Sequence, residues 1–382
     1  MNVLIVSDSF KGCMTSSEAN AQIENGILQA DPSIQCEKFT ISDGGEGMVE
    51  AFEQVFQAEL LQAYAKDLYG KPIFVDWAYD AKTKTACIEA ASVLGLTLYP
   101  LEERHVLDSS SYGLGILIKQ VQKQREIKRV VIGLGGTGCN DGGMGLAASF
   151  GAVFYDRQHR ILRPCTRNLK RIAFIDKRNF YFSHDCQLIA ACDVTNYLLG
   201  TQGATYIFGR QKGLTPTNLM DVEYGMTVLR NKIDQTFHVD MNESPGSGAA
   251  GGIGGMLIGL FGATMQNGIE VLLEGGLKEK IAQAHLIFTG EGQSDAQSSC
   301  GKVVSQIGMM AQEYDKPVIV VSGALGRGYE SLYKQGITAL FSTADRAMSF
   351  QYALLQGPKN LCQEAYNLMR LIRTIQRSNL DD

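Results

Sequence analysis

Four apolar runs in this 382-residue chain end in an acid followed by a small, polar or glycine-rich turn. They are VLIVSD ending at Asp8, FTISD ending at Asp43, LIAACD ending at Asp193 and LIFTGE ending at Glu291, with Asp295 four residues further on. One acid after a strand is an ordinary turn residue or helix cap. Four in the same position suggest a common task. Ligands of open α/β sheets bind outside the carboxyl ends of the strands. Carboxylates converging there call for a hard cation, and with no softer ligand nearby that cation is Mg²⁺, held together with substrate phosphates. Lysines fall beside small turns in the same way: Lys11 after Asp8 and Ser9, Lys212 in FGRQKG, and Lys302 before an apolar helix. A cation at a helix start can pair with phosphate or carboxylate.

Two glycine loops match GxGxxG, at Gly133, Gly135, Gly138 and at Gly246, Gly248, Gly251. With 42 glycines in the chain the match alone is weak. The first follows the apolar run Arg129–Ile132 and is followed by Asp156, which imitates a dinucleotide fingerprint and makes an NAD-dependent dehydrogenase a rival reading. Against it, Asn140 and Asp141 stand where a helix should open onto pyrophosphate. The second loop lacks a preceding strand and reads as a helix start where backbone approaches closely. Walker A, GxSxG and kinase HRD or DFG signatures are absent.

The elements that must position these residues alternate in the α/β manner. Expected strands are Val3–Val6, a strand end at Phe39–Ile41, Phe74–Trp77, Ala86–Glu89, Arg129–Ile132, Val153–Tyr155, Gln187–Ala191, Thr205–Phe208, His285–Phe288, Pro317–Val321 and Leu340–Phe341. Expected helices are 16–30 (capped by Ser16 or Ser17), Met48–Phe56, Val303–Tyr314, Glu330–Gln335 and a closing helix from Phe350, interrupted at Gly357 and Pro358. The pattern predicts a Rossmann-like, doubly wound three-layer α/β domain from residues 1–65 and 282–382. A second α/β domain, 66–281, is inserted into it. A net charge of −5 and the lack of a basic run argue against nucleic acid and anionic membrane as partners. No apolar stretch has the ~20 residues needed to span a bilayer. The N-terminal run lacks the marks of a signal peptide and reads as a first strand. Nine widely spaced cysteines without a CxxC pair fit a reduced, cytoplasmic compartment and argue against zinc.

Taken in order, the turns resemble the type I glycerate kinase family almost end to end. The likeness is carried by DSFKG (Asp8–Gly12), SDGGEG (Ser42–Gly47), GGTGCNDGG (Gly135–Gly143) and CDVTNYLLGTQGATYIFGRQKG (Cys192–Gly213). GSGAAGGIGG (Gly246–Gly255) and TGEGQSDAQSSCGK (Thr289–Lys302) complete it. Tyr197, Arg210, Cys139, Gln293 and His105 depart from the family pattern. The resemblance implies a two-domain fold with its site in the interdomain cleft, and ATP- and Mg²⁺-dependent phosphorylation of D-glycerate, with 2-phosphoglycerate as the expected product. Asp193 leads as general base, with Asp43 and Asp295 as competitors and Lys11 beside them in the catalytic set. Glu291 and Asp295 are expected at Mg²⁺. Asp8, Ser9, Asn140, Asp141, Lys212 and Gln297 are expected at the substrate. Gly135, Gly136, Gly248, Gly290, Gly292 and Lys302 are expected at the nucleotide. A homodimer is expected. The remaining rival is a non-catalytic sugar-acid sensor, which would keep the glycerate contacts and lose the metal carboxylates.

Overall fold

The computed structural model describes residues 1–183, 185–299 and 302–378, the side chains of Gln297 and Ser299 excepted. It divides into two units, Met1–Asp43 with Ile269–Asp382, and Gly44–Gly268.

The first unit is built on five parallel strands in the order Ala339–Ser342, Val318–Ser322, Leu286–Thr289, Asn2–Ile5, Gln35–Lys38. Counted along the chain within the unit, the order is 2-1-3-4-5. It reverses between Asn2–Ile5 and Leu286–Thr289, and such a switch point leaves a crevice at the carboxyl ends of the two strands. Both faces are covered, as continuous apolar strands require. Val3, Ile5, Phe288 and Val321 pack with Ile23 and Ile27 of helix Ser16–Ala30 and with Leu361 and Met369 of helix Phe350–Ser378. Leu4, Ile287, Val318 and Val320 are buried on the opposite face, where helices Leu277–Gln283 and Val303–Glu313 lie against the sheet.

The strand end expected at Phe39–Ile41 lies instead at Gln35–Lys38, the helix expected at Glu330–Gln335 is a 3-10 turn over Tyr329–Gln335, and further details differ from expectation. The cap of the first helix is Thr15: its hydroxyl accepts the Glu18 N–H while Glu18 accepts the Thr15 N–H, a reciprocal capping box. Ser16 is otherwise engaged, its hydroxyl donating to the Ser7 carbonyl at 2.6 Å. The closing helix runs through Pro358 without a break. Proline strands the carbonyl four residues before it, and here that carbonyl, Leu354, accepts from the Cys13 thiol at 3.1 Å.

The second unit holds a mixed six-stranded sheet in the order Thr264–Gln266, Gln187–Ala191, Arg129–Gly133, Thr85–Glu89, Pro72–Asp80, Glu59–Lys66. The first four strands are parallel and the last two form an antiparallel hairpin. Its core joins Trp77, Ile88, Leu117, Ile132, Leu229 and Phe261. Thr205–Phe208, expected as a strand from its β-branched and aromatic residues, lies in the helix Ala204–Phe208. Gly203 and Gly209 bracket it, and the Ile207 and Gly209 N–H groups close helical bonds onto Gly203 and Thr205. The helix Pro216–Phe237, absent from the sequence reading, starts from Thr215 with Asn218 as its capping-box partner.

Candidate functional site

In the first unit the reversal of strand order brings Asp8 and Glu291 together. Asp8 follows the first strand and its N–H donates to the Gly290 carbonyl at 2.9 Å. Glu291 follows Leu286–Thr289, the neighbouring strand. Burial first, and the negative charge of Asp43 second, push the Asp8 carboxyl up to about 7. Glu291 adds to the rise, while the Ser9 N–H (2.7 Å) and Lys11 oppose it. Lys11 also reaches Asp43 at 3.5 Å, with 81% of its side chain exposed. Burial raises Glu291 as well, against hydroxyl donation from Ser298 and Ser294. The Ser294 bond is 2.8 Å, and Ser294 is tied in turn to the Ser322 hydroxyl at 2.7 Å. The charge of Asp295 adds to the rise of Glu291, and Asp295 accepts from Gln293 at 3.0 Å. The acids at this end of the sheet raise one another's carboxyls, but no three or more His, Cys, Asp or Glu among the described residues are grouped so as to hold a metal ion by themselves.

The supports of this cluster were partly missed in the sequence. Asn20 is fully buried in helix Ser16–Ala30; it accepts the Ser7 N–H at 2.9 Å and donates to the Phe39 carbonyl at 3.1 Å. Ser16 accepts the Ile41 N–H at 3.0 Å. The first helix thereby fixes both segments that lead into Asp8 and Asp43. Gly290 admits no side chain: a Cβ would stand 2.1 Å from the Val321 carbonyl oxygen. Gly292 lies beside the backbone of Phe10 and Lys11. Lys302 is the N-cap of helix Val303–Glu313, and its charge acts on Glu291. The Gln297 side chain, expected at the substrate, lies outside the described residues, as do Cys300 and Gly301.

In the second unit the glycine turns lie across the carboxyl ends of the parallel strands. Gly44 has φ +96°, and a Cβ there would meet the Ala191 carbonyl at 2.6 Å. Gly135 donates to the Gly44 carbonyl at 3.1 Å, and its own Cβ would fall 2.5 Å from Gly45 Cα. Gly136, with φ +73°, accepts the Leu96 N–H. Gly138 donates to Leu94 at 2.6 Å. Asn140 is wholly buried with neither its amide nitrogen nor its oxygen hydrogen-bonded. Asp141 beside it is wholly buried and satisfied from within, accepting the Ser111 N–H and hydroxyl and the Gly143 and Gly145 N–H groups at 2.8–3.0 Å. Lys212 is buried, donates to the Cys139 carbonyl at 2.7 Å, and is pushed down to about 8 by that burial.

Beyond Lys212, Ala250, Gly251 and Gly252 take three successive left-handed conformations. The Gly251 carbonyl receives the Gly142 N–H at 3.0 Å, so this kink clamps the Cys139–Gly142 turn. Gly248 donates to the Asn196 carbonyl at 2.9 Å and leaves no room for a Cβ beside Tyr197. Asp193 stands exposed just past the strand Gln187–Ala191.

The dinucleotide fingerprint does not assemble. Its acid must follow a strand parallel to the glycine-loop strand in the same sheet. Asp156 instead follows Val153–Tyr155, which pairs with Phe174–Asp176 in a ribbon separate from the six-stranded sheet. Its carboxylate is bound to Arg160 and Arg171, and the loop from Gly133 reaches a helix only at Met144. The NAD-dependent dehydrogenase reading falls with it.

Residues 3–373 match the model of the glycerate kinase family. A glycerate 2-kinase of Escherichia coli (strain K12) is 34% identical over 370 residues, covering 96% of this chain and 97% of that protein. A glycerate kinase of Halalkalibacterium halodurans is 33% identical, over 96% and 97%. A crystal structure assigned as glycerate kinase 2 from Salmonella typhimurium LT2 superposes with a TM-score of 0.81 at 31% identity, covering 99% of each chain.

Proposed function

The chain belongs to the glycerate kinase family, and we propose that D-glycerate is its substrate and the 2-hydroxyl its phosphoryl acceptor. It is a phosphotransferase that phosphorylates glycerate with ATP as donor. The sensor reading loses its ground, since Asp8, Asp43, Glu291 and Asp295 are all present. What supports the 2-hydroxyl as acceptor is the 34% identity to a protein named glycerate 2-kinase; the acids at the strand reversal of the first unit carry a charge surplus that a divalent ion brought with the phosphates would balance.

Phosphoryl transfer depends on positioning and charge neutralisation more than on covalent catalysis. In our reading Asp193 accepts the proton of the glycerate hydroxyl as its oxygen bonds to the γ-phosphorus. The bond to the β-phosphate oxygen breaks and ADP leaves. Asp43 and Asp295 are the alternatives for the base, and Lys11 supplies positive charge near the reacting phosphate. Glu291 and Asp295, with Asp8 close by, would hold Mg²⁺, which when bound neutralises phosphate charge. Gly290, Gly292 and Lys302 approach the nucleotide in the first unit, Gly135, Gly136 and Gly248 in the second. Asp8 and Ser9 contact substrate in the first unit.

Asn140 is the strongest substrate-binding candidate of the second unit, because a buried carboxamide without partners is costly unless something engages it. Asp141 and Lys212 hold the turn that carries it. A cytoplasmic setting is supported by nine widely spaced cysteines without a CxxC pair. No described helix is long and apolar enough to cross a membrane. A homodimer is supported by exposed Phe350, Leu355, Leu371 and Ile375 on the closing helix, and light scattering tests it.

The deciding experiment is a coupled ADP-release assay with D-glycerate against other hydroxy acids, with the product regioisomer read by NMR. Turnover confined to another acid would overturn the substrate. Asp193→Asn is expected to lower kcat by at least about a hundredfold with an unchanged melting temperature; near-normal kcat would move the base to Asp43 or Asp295.

A further inference from the structure

Glu89 ends the strand Thr85–Glu89 and stands at the N-cap of the short helix Ala90–Leu94, yet its side chain makes no cap bond to that helix. It turns instead to the helix Met48–Phe56, accepting the Val49 N–H at 2.8 Å, with the Gly47 and Met48 N–H groups also donating to it. That helix cannot cap itself, because its N-cap is Gly47, left-handed at φ +87° and without a side chain. Its first N–H groups would be orphaned, and a carboxylate is the acceptor the helix dipole favours. The same Gly47 ends the turn whose Gly44 and Gly45 press on Ala191 and Gly135. One carboxylate, from a neighbouring strand, therefore fixes the far end of the SDGGEG turn.

We propose that Glu89 is a positioning residue for catalysis, holding the Gly44–Gly47 turn in its working geometry through the N–H groups of Gly47, Met48 and Val49. The catalytic part of this proposal rests on the glycerate kinase reading; the positioning part does not. Burial drives the Glu89 carboxyl up to about 7 even with three donors on it, and Glu46 adds to the rise. Glu89 in turn helps to raise Cys87, a buried thiol on its own strand. Protonation near neutrality removes charge from these hydrogen bonds, so the grip on the turn weakens as pH falls through 7.

The test is Glu89→Gln, which keeps the shape and replaces the charge, with Glu89→Ala beside it. Hydrogen exchange of the wild type, corrected for intrinsic rates, should show the Gly47–Val49 amides opening roughly tenfold more readily at pH 6 than at pH 8. In Glu89→Gln these amides should be equally open at both. The kcat of Glu89→Gln should fall about ten- to a hundredfold, with KM for ATP within twofold. Protection that is independent of pH in the wild type, or unchanged by Glu89→Gln, overturns the proposal. So does a normal kcat in a variant with opened amides. A wild type inactive on glycerate would instead fail the kinase reading, and the exchange data would still decide whether Glu89 holds the turn.

Discussion

Asp8 is the residue whose charge its surroundings oppose most plainly. Its carboxyl is raised to about 7 in the folded chain and titrates near 3.9 when unfolded. The folded state therefore binds its proton more tightly. The stability contributed by this group is complete below about pH 4 and is lost as pH rises through 7. Asp8→Asn should raise the melting temperature at pH 8, with the gain vanishing toward pH 4, while glycerate turnover collapses. Differential scanning fluorimetry across pH checks this, and a gain equal at both ends would contradict it. Asp141 is the opposite case. Its oxygens already accept four bonds from one unit, and an amide nitrogen in its place would face donors. Asp141→Asn should cost about 3 kcal/mol or more in urea unfolding, where a substrate-orienting residue would lower activity and leave stability alone. The sequence could place both acids in strategic turns, but it could not separate them. Burial and donor count separate them, and both come from distant segments.

Helix Ser16–Ala30 shows how an element delivers a site. Its apolar stripe of Ala19, Ile23 and Ile27 faces the sheet and was readable from 3.6-residue spacing. Asn20 sits on the buried side too and bonds Ser7 and Phe39, so two acid-bearing segments are spaced by one amide. Asn20→Ala should cost about 2–4 kcal/mol through two orphaned backbone groups and lower kcat as Asp8 and Asp43 lose their spacing. Chemical denaturation and steady-state kinetics check it; a stability loss with full kcat would separate the bridge from catalysis. Strands were legible wherever their apolar runs were bounded by turns, as at Leu286–Thr289 and Gln187–Ala191. Thr205–Phe208 misled because its residue types favour strands while its flanking glycines close a helical turn. Helix Pro216–Phe237 escaped although Leu219, Val222, Met226, Leu229 and Ile233 recur at intervals of three and four along its buried face and Thr215, Pro216 and Asn218 spelled a start signal. Glu89 was missed for a different reason: it was counted as the last residue of a strand, and its partner helix lies forty positions earlier in the chain.

At the scale of the molecule, the unit Gly44–Gly268 is one continuous stretch with its own sheet and core. The other unit is assembled from both ends of the chain. A fragment of residues 44–268 should therefore fold by itself, with dispersed amide resonances and a cooperative melt. A molten spectrum would show that its core is not self-sufficient. The unit made from both ends has a consequence for synthesis. Asn2–Ile5 pairs with Gln35–Lys38 within the first forty residues, but two strands alone are marginal, and its other partner is Leu286–Thr289. At translation rates of about 5–20 residues per second, that partner follows on the order of tens of seconds later. Over that interval the emerging NVLIV segment has no sheet to enter, while the middle of the chain can already close. The apolar NVLIV strand thus waits half-paired while the middle of the chain closes, which makes it a place where a chaperone has work to do.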